Sequence, residues 1–166
     1  MVLKSYAKIN LTLSINNKLK SGLHNIQSIY CLINLHDKIF LKKNKNKYFD
    51  QVSFTGPFSK DINKSNNSVK KVLKVMRKNK IIHDYYSIKV SKKIPVFAGL
   101  GGGTSNAATL LKHLTKKSLN KKILSKITKE VGTDLRLFFH HQGYQKNLRS
   151  VIKLSLIHIS EPTRPR

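Results

Sequence analysis

Four glycines fall within residues 99–103, in the run Pro95-Val96-Phe97-Ala98-Gly99-Leu100-Gly101-Gly102-Gly103-Thr104-Ser105-Asn106. Backbone without side chains reaches positive φ and lets N–H groups approach a ligand closely. The residues that follow, Asn106 to Leu114, favour a helix that Thr104 or Ser105 is placed to cap. A glycine loop feeding a helix start gathers unpaired N–H donors and the positive end of the helix dipole at one spot. That combination predicts a phosphate cradle, and so a nucleotide site. A Walker A loop would end Gly-Lys-Ser/Thr, but Thr104 follows Gly103. A dinucleotide fingerprint would carry a third glycine where Thr104 stands. A plain flexible linker is the competing reading, although Ile94-Pro95 and a small-residue helix do not normally frame one.

What the loop resembles is the second motif of the GHMP kinases, Pro-x-x-x-Gly-Leu-Gly-Gly-Gly-Ser-Ser, with Thr104 in place of the first serine. The N-terminal segment narrows the resemblance. Ala7-Lys8-Ile9-Asn10-Leu11, followed by Ser21-Gly22-Leu23-His24-Asn25-Ile26-Gln27, is similar to the branch that acts on 4-diphosphocytidyl-2-C-methyl-D-erythritol. Lys8 then matches a catalytic lysine, Asn10 the motif asparagine, and His24 the histidine that recognises the cytidine end of the substrate. Leu23 stands where that branch usually has a tyrosine that stacks on cytosine. Asn67 and Ser68 match a helix start beside the adenine, and plain N-capping explains them equally well. Gly132-Thr133-Asp134-Leu135-Arg136-Leu137-Phe138-Phe139 resembles Gly-Ser/Ala-Asp-Val-Pro-Phe-Phe, with Arg136 in the proline's place. Asp134 there corresponds to the catalytic base.

Elimination among the acids reaches the same residue. Phosphorylating a hydroxyl benefits from a carboxylate that accepts its proton. The chain has seven acids: Asp37, Asp50, Asp61, Asp84, Glu130, Asp134 and Glu161. Asp134 alone joins a small-residue turn to an apolar segment, read as a strand, and a cation such as Lys8 nearby would hold it ionised. His140 and His141 are adjacent, and strand neighbours point to opposite faces, so no metal site is expected from them.

The resemblance implies an α+β fold of the GHMP kinase N-terminal type (ribosomal protein S5 domain 2-like), a mixed sheet flanked by helices. Leu3 to Ile15 alternates as one half-buried strand, and Ile26 to Leu41 reads as a strand pair bent at Asn34-Leu35-His36-Asp37. A strand is expected near Val52 to Phe54 and a helix from Ser68 to about Lys80, buried through Val69, Val72, Leu73 and Met76. Tyr86 to Val90 reads as a strand, and Leu119 to Val131 as a helix stopped by Gly132.

The formal net charge is +26. Such a charge attracts polyanions, and a basic nucleic-acid-binding domain is the rival from another class. The lysines, however, are spread among asparagines and isoleucines along the whole chain, a composition that A/T-rich codons produce by themselves. No run approaches the ~20 apolar residues of a membrane span, and the first residues do not read as a charged region, apolar region and cleavage site, so export is not expected. One cysteine, Cys31, excludes an internal disulfide and fits a reducing cytoplasm. From Leu154 onward the sequence switches to Arg and Pro usage and resembles a translated sequencing adapter. Residues 1–153 are therefore read as one ATP-binding domain, the N-terminal part of a longer kinase, and 154–166 as an artefactual, disordered tail. ATP, with Mg²⁺, is the expected cofactor and a small cytidine diphosphate-linked methylerythritol the expected substrate; the oligomeric state stays open.

Overall fold

The computed structural model describes residues 1–18, 24–45, 48–115, 120–147 and 150–154. Its strands are β1 (Val2–Asn10), β2 (Ser14–Lys18), β3 (His24–Asn44), β4 (Gln51–Thr55), β5 (Tyr85–Ser91), β6 (Gln142–Asn147) and β7 (Ser150–Lys153). Its helices are α1 (Ser68–Lys78), α2 (Gly102–Leu114) and α3 (Lys121–Val131), followed by a 3₁₀ helix at Thr133–Phe139.

β3 is the spine. Lys38 faces Lys4 of β1 and Ser91 of β5, while Tyr30 faces Asn10 of β1 and Gly143 of β6. β1 therefore runs along one edge of β3, and β5 and β6 share the other edge at different levels. β4 joins β5 in parallel, and every other pairing is antiparallel, which makes the sheet mixed. α1 buries Val69, Val72, Leu73, Val75 and Met76, and α2 buries Ala107, Ala108, Leu110 and Leu111. These meet Ile39 and Leu41 of β3 and Ile88 and Val90 of β5 in one core, to which α3 adds Ile127. Alternate β3 residues Lys38, Phe40 and Lys42 are exposed, as the pleat requires when one sheet face carries the helices.

Four expectations change. The segment read as one strand from Leu3 to Ile15 breaks after Asn10, where Leu11 and Thr12 both donate to the Ile29 carbonyl. Beyond the break Leu11, Leu13 and Ile15 are 55–64 % exposed: the alternation is real, but no described residue buries that side. The strand pair expected from Ile26 to Leu41 is a single 21-residue strand. Its supposed bend is a bulge, because Tyr6 pairs with His36 while Ala7 pairs with Ile33, leaving Asn34 and Leu35 extra. The helix expected at Asn106 begins at Gly102, capped by no side chain, so Thr104 and Ser105 lie inside its first turn. Finally, Leu135 to Phe139 forms the 3₁₀ helix, with Leu135, Leu137 and Phe138 buried. β4, α1, β5 and α3 lie close to where they were expected, Leu119 being outside the described residues, and the Asn67 side chain caps α1 by accepting from the Lys70 N–H at 3.0 Å; β6 and β7 were not expected.

Candidate active site

The glycine loop is fixed at both ends by buried polar groups. On the incoming side, Asp37 is fully buried in β3, and its Oδ1 accepts from the Lys93 and Ile94 N–H groups at 2.7 and 2.9 Å. Its Oδ2 pairs with Lys92 Nζ, itself nearly enclosed. This carboxylate aims the chain into Pro95. On the outgoing side, the Ser105 hydroxyl donates to the Tyr6 carbonyl at 2.6 Å and accepts from the Ser5 hydroxyl at 2.8 Å. That use explains why Ser105 does not cap the helix: α2 is bolted to β1 through it.

Between these anchors the chain needs glycine for space as well as for conformation. Gly101 has φ +67°, and a Cβ there would lie 2.6 Å from the Phe138 ring and 3.5 Å from Lys8 Cγ. A Cβ at Gly102 would lie 2.9 Å from Ile94. The Leu100 carbonyl accepts from the Lys8 N–H at 3.0 Å, which ties the loop to β1. A cavity of about 390 Å³ opens against the loop. Pro95, Gly99, Leu100, Gly101, Gly102, Gly103 and Thr104 line it, with Asn67 and Ser68 from the start of α1.

A lysine–aspartate pair stands beside Gly101. Lys8 Nζ lies 3.5 Å from Asp134 Oδ2, the lysine side chain 8 % exposed and the aspartate 39 %. The ammonium is enclosed while the carboxylate opens to solvent, an arrangement that leaves the acid accessible to a reactant. Lys8 Nζ also donates to Asn10 Oδ1 at 2.5 Å, and Asn10 Nδ2 donates to the Ser28 hydroxyl at 2.9 Å, which donates to the Thr12 carbonyl at 2.6 Å. This chain of bonds sets the position of the lysine from β1 and β3. Asp134 comes in from the other side, on the first turn of the 3₁₀ helix after Gly132 (φ +150°). A Cβ at Gly132 would lie 3.3 Å from the Thr104 hydroxyl, so that hydroxyl abuts the turn carrying Asp134. N–H donors at a helix start, an enclosed ammonium and an open carboxylate thus converge from three separated stretches of sequence. Such a set can hold phosphates, compensate charge developing in transfer, and accept a proton.

Of the residues singled out in the sequence, all but three join this region. Ser105 faces β1 rather than the cavity. Leu23 lies outside the described residues, and His24 opens β3 opposite Lys18. Residues that the sequence did not single out for the site are Lys92, Ser28 and Asn106, which lines the cavity with a buried Oδ1 lacking a partner among the described residues. Lys92 was hidden by composition, one lysine among very many. Among the described residues no group of three or more His, Cys, Asp or Glu side chains gathers as a metal site, and no helix is long and apolar enough to cross a membrane.

The chain resembles known proteins over most of its length. The family described as GHMP kinases N terminal domain matches residues 67–139. The 4-diphosphocytidyl-2-C-methyl-D-erythritol kinase of Pelagibacter ubique is 43% identical over 139 residues, which cover 81% of this chain and 48% of the relative. The kinase of the same name from Finegoldia magna is 33% identical over 141 residues, 83% of this chain and 50% of the relative. This chain thus spans about half the length of the curated relatives it matches. Among solved structures, a 4-(cytidine 5'-diphospho)-2C-methyl-D-erythritol kinase superposes with a TM-score of 0.66 at 23% identity, covering 95% of this chain and 56% of that one. A homoserine kinase from Cytophaga hutchinsonii gives a TM-score of 0.64 at 15% identity, covering 92% and 51%. At those identities the two structures speak for the fold alone.

Proposed function

The chain belongs to the GHMP kinases, and from that membership we propose that residues 1–153 are the ATP-binding part of an enzyme that phosphorylates the 2-hydroxyl of 4-diphosphocytidyl-2-C-methyl-D-erythritol in the non-mevalonate route to isoprenoids. The observation that carries the reading is the Lys8–Asp134 pair standing against Gly101. N–H groups of the loop hold the triphosphate. The Asp134 carboxylate accepts the proton of the substrate hydroxyl as its oxygen attacks the γ-phosphorus, and ADP departs. Lys8, oriented by Asn10, keeps Asp134 ionised and compensates negative charge on the transferring group. Mg²⁺ typically keeps several waters and binds through substrate phosphates with one or two protein oxygens. The Thr104 hydroxyl fits that requirement, and the ion would supply charge neutralisation at the phosphates. The substrate choice rests on Ala7 to Leu11 and on His24, beside relatives of that name. The reaction takes place in the cytoplasm, where Cys31 stays reduced.

The test is a comparison of turnover in a protein extended to the full length of its relatives. With ATP, the cytidylated methylerythritol should be phosphorylated at least a hundredfold faster, as kcat/KM, than homoserine or mevalonate. Equal or better use of either simple alcohol would assign the chain to another branch of the family.

A further inference from the structure

Phe97 has a conformation and an environment that its own fold does not reward. Its φ is +62°, in the left-handed region that costs energy for any residue with a Cβ, and its neighbours Gly99 and Gly101 reach the same region with no such cost. The ring is 92 % exposed, more than any other large apolar side chain among the described residues. Core packing therefore offsets none of the strain. Yet the residue sits within the loop itself, five positions before Gly102, and lines the same cavity as the phosphate-facing glycines and the Asn67 cap. Strained positions that persist without packing are characteristic of ligand contacts.

We propose that the Phe97 ring is a stacking platform for the base of the bound nucleotide. This deepens the ATP-binding reading and rests on it. A planar heterocycle laid against the ring removes two apolar faces from water, and such stacking tolerates any base because each has a π-face. The loop would then grip a nucleotide at two points: N–H groups at Gly101 to Thr104 take the phosphates, and the ring, displaced along the same strand of chain, takes the base. Phe97 acts as a binding residue and takes no part in the chemistry.

Calorimetric titration of this chain with ATP and with inorganic tripolyphosphate separates the two grips. Phe97→Ala is expected to weaken ATP about tenfold, equivalent to about 1.4 kcal/mol, while tripolyphosphate affinity stays within twofold. Phe97→Trp should restore or exceed the original ATP affinity. Phe97→Gly should weaken ATP as alanine does and yet raise the melting temperature by about 2–4 °C, because it relieves the left-handed strain. The proposal is overturned if Phe97→Ala leaves ATP binding unchanged, or if it weakens tripolyphosphate as much as ATP, which would make the ring a loop-shaping element. A wild-type chain that binds neither ligand would instead overturn the kinase reading on which the proposal stands.

Discussion

Two lysine–aspartate pairs flank the same glycine loop and are built in opposite ways. Asp37–Lys92, on the incoming side, is sealed: both side chains are buried, and the carboxylate is further saturated by two backbone N–H groups. Lys8–Asp134, on the far side, is left loose at 3.5 Å, with its acid 39 % exposed. A carboxylate committed to three donors holds backbone and has little capacity for chemistry. One that meets a single ammonium at long range keeps free lone pairs and solvent access, as a base must. The difference lies in the number of partners and in exposure, since the residue types are identical. A third pair, Lys43–Asp84, has the short distance of 2.8 Å but lies on the surface, with 59 % and 44 % exposure. Distance alone therefore ranks these pairs wrongly.

The contrast can be broken at the sealed pair first. Asp37→Ala strands a buried ammonium and frees two N–H groups, so unfolding free energy should fall by about 3–5 kcal/mol. A loss below about 1 kcal/mol by denaturant titration would mean that the pair does not hold the loop. Gly101→Ala probes the point where loop, Lys8 and Phe138 meet. The Cβ at φ +67° and its 2.6 Å approach to the ring predict a loss of about 2–4 kcal/mol, and tripolyphosphate binding should weaken with it.

Smaller effects sharpen the same argument away from the loop. Tyr30 is fully buried on β3, its hydroxyl has no partner among the described residues, and burial pushes its phenol up to about 12. A raised folded-state value means that the neutral phenol is favoured in the native protein. Its contribution is fully present below pH 10 and is lost as pH rises from about 10 to 12. Tyr30→Phe should therefore gain about 1 kcal/mol at neutral pH and flatten the alkaline limb of the stability curve. At the bottom of the scale, the hydrogen bond to Asp84 raises the Lys43 pKa. Lys43→Gln should nevertheless leave the denaturation midpoint unchanged, since exposed pairs contribute little.

The site was legible in the sequence wherever a residue type was rare. Glycines are few, so Gly99 to Gly103 stood out; acids are few, so Asp134 emerged by elimination. Lysines are everywhere, and Lys92, with its ammonium buried beside the loop, looked no different from its neighbours. Alternation failed for a related reason. It reports a two-sided strand but not which side is covered, and so Leu11, Leu13 and Ile15 read as core while lying in solvent. The long β3 hid as two strands because Asn34 to Asp37 has turn-like composition, whereas the chain absorbs it as a bulge that delivers Asp37 to the interior. Ser105 has the composition of a cap and the position of a bolt, a distinction made only by the distant Ser5 and Tyr6.

Asp134 is the proposed proton acceptor of a phosphoryl transfer organised around the loop. That role is tested most directly by Asp134→Asn in a protein of the relatives' full length, measuring kcat on the cytidylated substrate and ATP affinity side by side. The expected result is a fall in kcat of about 10²- to 10⁴-fold with ATP affinity within twofold of wild type. Turnover preserved in that variant would contradict it.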